Sequence, residues 1–100
     1  MSITPDAVIV EANRRRYELE WQDMAIILAL SWVKLGALPL TRFQTIEPDY
    51  GKLKARIEKL KKMKLVNEVA ASRISFIYLT DEGLIISEVL ENRAKELNLL

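Results

Sequence analysis

Neither cysteine nor histidine occurs in this chain of 100 residues. The first absence excludes a disulfide framework and any thiolate metal site. The second removes the usual general base, the usual imidazole ligand and the usual pH switch. There is no glycine-rich phosphate loop, and no nucleophile–base pair can be built in the usual ways. An enzyme is therefore the weakest reading, and no catalytic residue, cofactor or metal is expected. Long hydrophobic runs are missing too. The longest, Met24 to Val33 (MAIILALSWV), is roughly half of what a bilayer crossing requires, and it lacks the basic flank and cleavage site of a secretory signal. It reads as a buried helix, in a cytoplasmic protein with no membrane partner.

Half of the residues are hydrophobic and 29% are charged, the composition of a globular rather than a disordered chain. The length fits a single domain over residues 1–100. The formal net charge is only +1, but it is unevenly spread. Gly51 to Arg73 holds Lys52, Lys54, Arg56, Lys59, Lys61, Lys62, Lys64 and Arg73 against Glu58 and Glu68. One segment is strongly basic, and the rest of the chain is acidic.

Thr4-Pro5-Asp6 combines a capping hydroxyl, a proline where no amide donor is needed and an acid near the helix dipole's positive end. It predicts a first helix from about Pro5 to Tyr17, within an N-terminal segment 5–20. Ala7 to Val10 (AVIV) also suits a strand. A second helix is expected from Trp21 to Leu35, closed by Gly36, with Trp21, Ala25, Leu28, Trp32 and Leu35 along one side of a nearly all-apolar surface. Leu38-Pro39-Leu40 reads as a short extended piece, and Thr41 as the cap of a short helix from Arg42 to Ile46. Pro48 stops that helix, and Asp49 caps the next, from Tyr50 to about Lys64, with Leu53, Ile57 and Leu60 inward. Leu65–Ala71 and Ile74–Leu79 read as a strand hairpin with a turn at Ser72-Arg73. Thr80 caps a last helix in 80–100, with Asp81 and Glu82 in its first turn. The fold class is α+β, mostly α. The middle of this order, over 21–79, is that of a winged helix-turn-helix, whose second helix enters the DNA major groove beside a hairpin wing.

Three stretches carry a family resemblance: LPLTRFQTI, DYGKLKARIEKLKKMKLV and FIYLTDEG. Leu38 to Leu90 resembles the winged-helix transcriptional regulators, especially small archaeal and archaeal-virus members and the MarR, PadR and ArsR groups. By that resemblance the first stretch is the short strand and first helix of the turn motif. The second is the recognition helix and entry to the wing, and the third is the second wing strand running into the last helix. Many relatives have a glycine where this chain has Lys64. The wing is short, with a single arginine at its tip.

Stepping about 100° per residue from Leu53 puts Ile57 and Leu60 on the inward side and Gly51, Ala55, Lys59 and Lys62 on the far side, with Lys52 and Glu58 at its margins. Small residues let a helix backbone approach base edges, and lysines reach phosphates. The expected DNA-binding set is Thr41, Arg42, Gln44, Tyr50, Gly51, Lys52, Lys54, Ala55, Lys59, Lys62 and Arg73. Arg56 lies nearer the core edge and is expected to pair with an acid. Apolar residues on the terminal helices suggest a homodimer through Val8, Ile9, Ala12, Ile86, Val89, Leu90 and Leu97. Such a dimer would set two recognition helices about one DNA turn apart. The leading function is a homodimeric regulator that binds specific double-stranded DNA. The alternative is a winged helix that binds protein in a transcription or replication assembly.

Overall fold

A two-residue turn, Asn13-Arg14, stands where the sequence predicts the first helix. The computed structural model describes residues 7–33 and 36–96. Asn13 and Arg14 have φ of 52° and 64°, the paired left-handed conformations of a tight hairpin turn. They join β1 (Ala7–Ala12) to β2 (Arg15–Glu20) in an antiparallel pair, with Val8 opposite Leu19 and Val10 opposite Tyr17. The helix expected from Pro5 to Tyr17 is thus a hairpin over the described residues 7–20. The physical reason is a period of two. Val10, Tyr17 and Leu19 are buried, while Ile9, Glu11, Arg16 and Glu18 face water. Val8, Ile9 and Val10 are also β-branched and pack readily on a pleated surface. The cap signal at Thr4-Pro5-Asp6 lies outside the described residues.

α1 (Trp21–Ser31) follows β2 without a loop. Asp23 Oδ2 accepts from the Glu20 amide at 2.9 Å, which satisfies a free donor at the helix start. Ile26, Ile27 and Leu30 are its buried side. The nearly all-apolar surface is less enclosed than expected: of the side that carries them, Ala25 and Leu28 are half-buried, but Trp21 and Trp32 are 56% and 57% exposed. The helix ends four residues before the predicted Leu35, which is not among the described residues. Gly36 then takes φ 77°, a conformation that glycine adopts without strain.

β3 (Ala37–Pro39) leads into a 3-10 helix, Leu40–Thr45, in place of the predicted Arg42–Ile46 helix. Thr41 lies inside this turn rather than capping it; Pro39 occupies the cap position, and Leu40 and Phe43 point inward. α2 (Tyr50–Lys62) is capped as expected, with Asp49 Oδ1 accepting from the Lys52 amide at 2.9 Å. β4 (Val66–Ala71) and β5 (Ile74–Leu79) turn at Ser72-Arg73, again with two positive φ values. The antiparallel sheet has the order β3-β5-β4, with Ile77 between Leu38 and Glu68.

α3 (Asp81–Glu96) starts against the end of α2. Gly83 is buried there, and a side-chain carbon at that position would overlap the Leu65 carbonyl oxygen. Close backbone contact therefore explains the glycine. One core unites the hairpin, α1, α2, the sheet and α3 through Val10, Leu19, Ile26, Ile27, Leu53, Leu60, Ile77 and Ile86, all without solvent exposure.

That core corrects the expected interface. Ile86 and Leu90 are buried within the chain itself, and Val8, Ala12 and Val89 are half-buried against the same cluster. The N-terminal segment, being a hairpin, lies under α3 and takes up the apolar surface assigned to a partner. Of the set, Ile9 is exposed, and Leu97 lies outside the described residues. The apolar side chains that α3 does expose are Leu84 and Ile85. Among the described residues, no helix is long and apolar enough to cross a membrane.

Candidate nucleic-acid interface

The amphipathic pattern of α2 sorts its side chains into four directions. Leu53, Ile57 and Leu60 enter the core at 0–2% exposure. Gly51, Lys52, Lys54, Ala55 and Lys62 are exposed. Two small residues thus lie among lysines on the outer surface, and Tyr50 opens the helix at 47% exposure. The Lys54 ammonium stands 5.8 Å from the Tyr50 ring centroid, a cation–π distance.

The third direction faces α1. Arg56 Nη1 donates to Asp23 Oδ1 and to Glu20 Oε1, each at 3.0 Å, and Nη2 donates to Glu47 Oε1 at 3.3 Å. Burial alone would lower the Arg56 pKa, but hydrogen bonds to Asp23, Glu20 and Glu47 outweigh it and hold the guanidinium above its ordinary value. The acid pairing expected of Arg56 is therefore present. Lys59, expected to reach DNA, turns the same way: its ammonium is 2.6 Å from Asp23 Oδ2 and 3.6 Å from Glu20.

The fourth direction faces the wing. Lys61 Nζ donates to Glu68 Oε1 of β4 at 3.1 Å and to Glu58 Oε1 at 3.3 Å. Glu68, then Glu58, raise the Lys61 pKa. The Glu68 carboxyl is held below its ordinary value by Ser75 first and then by Lys61. The wheel that placed Lys59 outward did not reveal these clamps, because most of the carboxylates that engage α2 lie outside it, on β2, α1, β4 and the turn that holds Glu47.

The remaining candidates are more dispersed. Thr41 and Arg42 are exposed and Gln44 is half-buried, on the 3-10 helix that packs against α2. Arg73 is exposed at the wing tip, at φ 66°. Two open depressions follow the outer surface of α2. Ala55, Glu58, Lys59, Lys62 and Met63 line one; Glu20, Lys52, Ala55, Arg56 and Lys59 line the other. Among the described residues, no group of three or more acidic side chains is placed to hold a metal ion.

In comparison with known proteins, the sequence matches no family model and no curated protein. Solved structures do match. MepR, a transcription regulator of the Staphylococcus aureus multidrug efflux pump MepA, aligns with a TM-score of 0.72 at 15% identity, over 80% of this chain and 61% of that one. The MarR family transcriptional regulator SPO1453 from Silicibacter pomeroyi DSS-3 aligns at 0.64 and 25% identity, over 81% and 60%. A cysteine-to-serine mutant of MarR from E. coli, complexed with operator DNA, aligns at 0.64 and 14% identity, over 76% and 56%. The chain therefore spans between 56% and 61% of the length of these three regulators, and its fold is the winged helix that they share.

Proposed function

We propose that this chain is a transcriptional regulator without catalytic activity, which acts in the cytoplasm as a homodimer and binds specific double-stranded DNA with α2 in the major groove. The observation that carries this reading is the outer surface of α2. Gly51 and Ala55 leave its backbone open to base edges, and Lys52, Lys54 and Lys62 surround them. Among the described residues, none of these three lysines is in an ion pair, so their charge is available to phosphates. Thr41, Arg42 and Gln44 would approach the backbone beside α2, and Arg73 an adjacent groove. The MarR structure with operator DNA supports this use of the fold. Exposed Ile9, Leu84 and Ile85 are the apolar side chains offered to a second copy.

Titration of a labelled duplex across salt concentrations tests the proposal. A dimer engaging roughly six phosphates should lose on the order of a thousandfold in affinity between about 50 and 200 mM salt. Absence of duplex binding at low salt would overturn the reading.

One observation favours the alternative, a module that binds protein. The strand pairs Val69–Phe76 and Ala71–Ile74 place these side chains on the sheet surface opposite Ile77, with Val69 and Ile74 about half exposed. That surface is apolar, and Arg73 is the only cation in the wing turn. Salt-insensitive association with protein and no duplex binding is the outcome that would favour it.

A further inference from the structure

Asp23 is fully buried, yet it sits beside the helix proposed to read DNA. Its carboxylate accepts from three donors: the Glu20 amide at 2.9 Å, Arg56 Nη1 at 3.0 Å and Lys59 Nζ at 2.6 Å. A buried carboxylate is tolerated only when its charge is paired and its lone pairs are used, and both conditions hold here. Lys59 itself is not sealed in, since its side chain keeps 36% of its exposure. On the wheel it borders the outer surface that carries Lys52, Ala55 and Lys62. It is therefore a cation at the edge of the candidate DNA surface that is turned away first by Asp23 of α1, with Glu20 of β2 farther off at 3.6 Å.

We propose that Asp23 is a positioning residue for DNA recognition, which withdraws Lys59 from the phosphate-contacting set and, with Arg56, fixes the angle at which α2 presents its outer surface. The inference rests on the DNA reading above and adds a division of labour among the cations of α2. Lys52, Lys54 and Lys62 meet phosphate. Arg56 and Lys59 anchor the helix to α1, and Lys61 anchors it to the wing through Glu68. The anchoring serves discrimination. Every additional free lysine strengthens binding to all sequences alike, whereas a fixed helix angle favours the one whose base edges match.

The test compares the dependence of duplex affinity on salt for the wild type, Lys59→Gln, Asp23→Asn and the double variant, each with a random-sequence duplex. Each phosphate contact contributes about 0.9 to the slope of log affinity against log salt. Lys59→Gln should leave the wild-type slope unchanged. Asp23→Asn should release Lys59, steepen the slope by about 0.9 per chain and raise affinity at low salt. The double variant should return to the wild-type slope. A loss of packing alone would not produce this pattern. A slope reduced by about 0.9 in Lys59→Gln would mean that Lys59 already meets phosphate and would overturn the inference. So would an unchanged slope in a folded Asp23→Asn. Should Asp23→Asn not fold, Lys59→Gln decides alone, because Asp23 keeps Arg56 in that variant. Failure of the wild type to bind any duplex is a separate result, which removes the DNA reading and this inference with it.

Discussion

Thr80 Oγ1 donates to the Lys64 carbonyl oxygen at 2.6 Å and accepts from the Gly83 amide at 3.0 Å. The Thr80 amide also donates to the Leu65 carbonyl oxygen at 3.0 Å. One residue thereby fastens the end of α2 and the approach to β4 to the start of α3. Thr80→Val preserves shape and removes both hydroxyl bonds. It should cost about 1–2 kcal/mol, within the range for losing a helix cap. Urea unfolding should show a lower midpoint at unchanged slope. An unchanged midpoint would mean that the backbone bonds alone hold this seam.

The same seam holds a lysine in a backbone conformation that favours glycine. Lys64 takes φ 64°. Its amide donates to the Lys61 carbonyl oxygen at 2.9 Å, and the Leu65 amide donates to that of Leu60 at 3.1 Å. These two bonds form the Schellman closure of a helix, whose left-handed residue is usually glycine. A lysine there bears a steric cost that glycine avoids. Lys64→Gly should raise stability by about 0.5–1 kcal/mol, read as a higher unfolding midpoint. A destabilised variant would show that the Lys64 side chain contributes packing that offsets its strain.

Much of the winged core was legible because its elements have local punctuation, although the short helix predicted from Arg42 starts two residues earlier, as the 3-10 helix Leu40–Thr45. Asp49 caps α2, Thr80 caps α3, and the β-branched and aromatic run Ile74–Leu79 forms β5 between turn signals. The N-terminal hairpin was not legible from the same kind of cue. Thr4-Pro5-Asp6 suggested a helix, whereas the alternation Val10, Tyr17, Leu19 becomes decisive only once α1 and α3 supply a surface to bury it. Asn13-Arg14 also lacks the glycine that usually marks such a turn. The outward surface of α2 was legible, and the pairing of its cations only in part. The wheel found Lys52, Ala55 and Lys62, which need only the helix to point outward. It misplaced Lys59, because that side chain's direction is set by Asp23, 36 residues earlier in the chain.

Acid should weaken the fold through Glu82. Its carboxylate accepts from Asn13 Nδ2 at 3.0 Å and from Arg15 Nη1 at 3.2 Å, joining the hairpin turn to α3. The Asn13 bond first, and the charge of Arg15 after it, hold its pKa below the ordinary 4.5. A carboxyl with a depressed folded-state value stabilises the protein fully above its unfolded value, and that contribution is lost as pH falls through the folded value. Stability should therefore fall below about pH 4.5, and no histidine adds a step near neutrality. Glu82→Gln should make the acid decline shallower in urea unfolding between about pH 3 and 6. An identical decline in the variant would assign it to other carboxylates, Glu68 first among them.

Ala55 offers the most direct test of which way α2 faces. It is exposed at the centre of the outer surface, and Lys52 and Lys59 stand one turn to either side. Ala55→Glu places a carboxylate where phosphates and base edges are proposed to lie, while its charge suits the neighbouring lysines along the helix. Duplex affinity should fall by a factor of about 100 or more, with stability within about 0.5 kcal/mol of the wild type. Ala55→Gln has nearly the same size without the charge and should lose less, so the pair separates repulsion from obstruction. An unfolded Ala55→Glu would contradict the exposure of this position. A folded Ala55→Glu that binds random duplex as the wild type does would remove α2 as the reading helix, because a carboxylate at the centre of its outer surface would be repelled by the phosphates on either side.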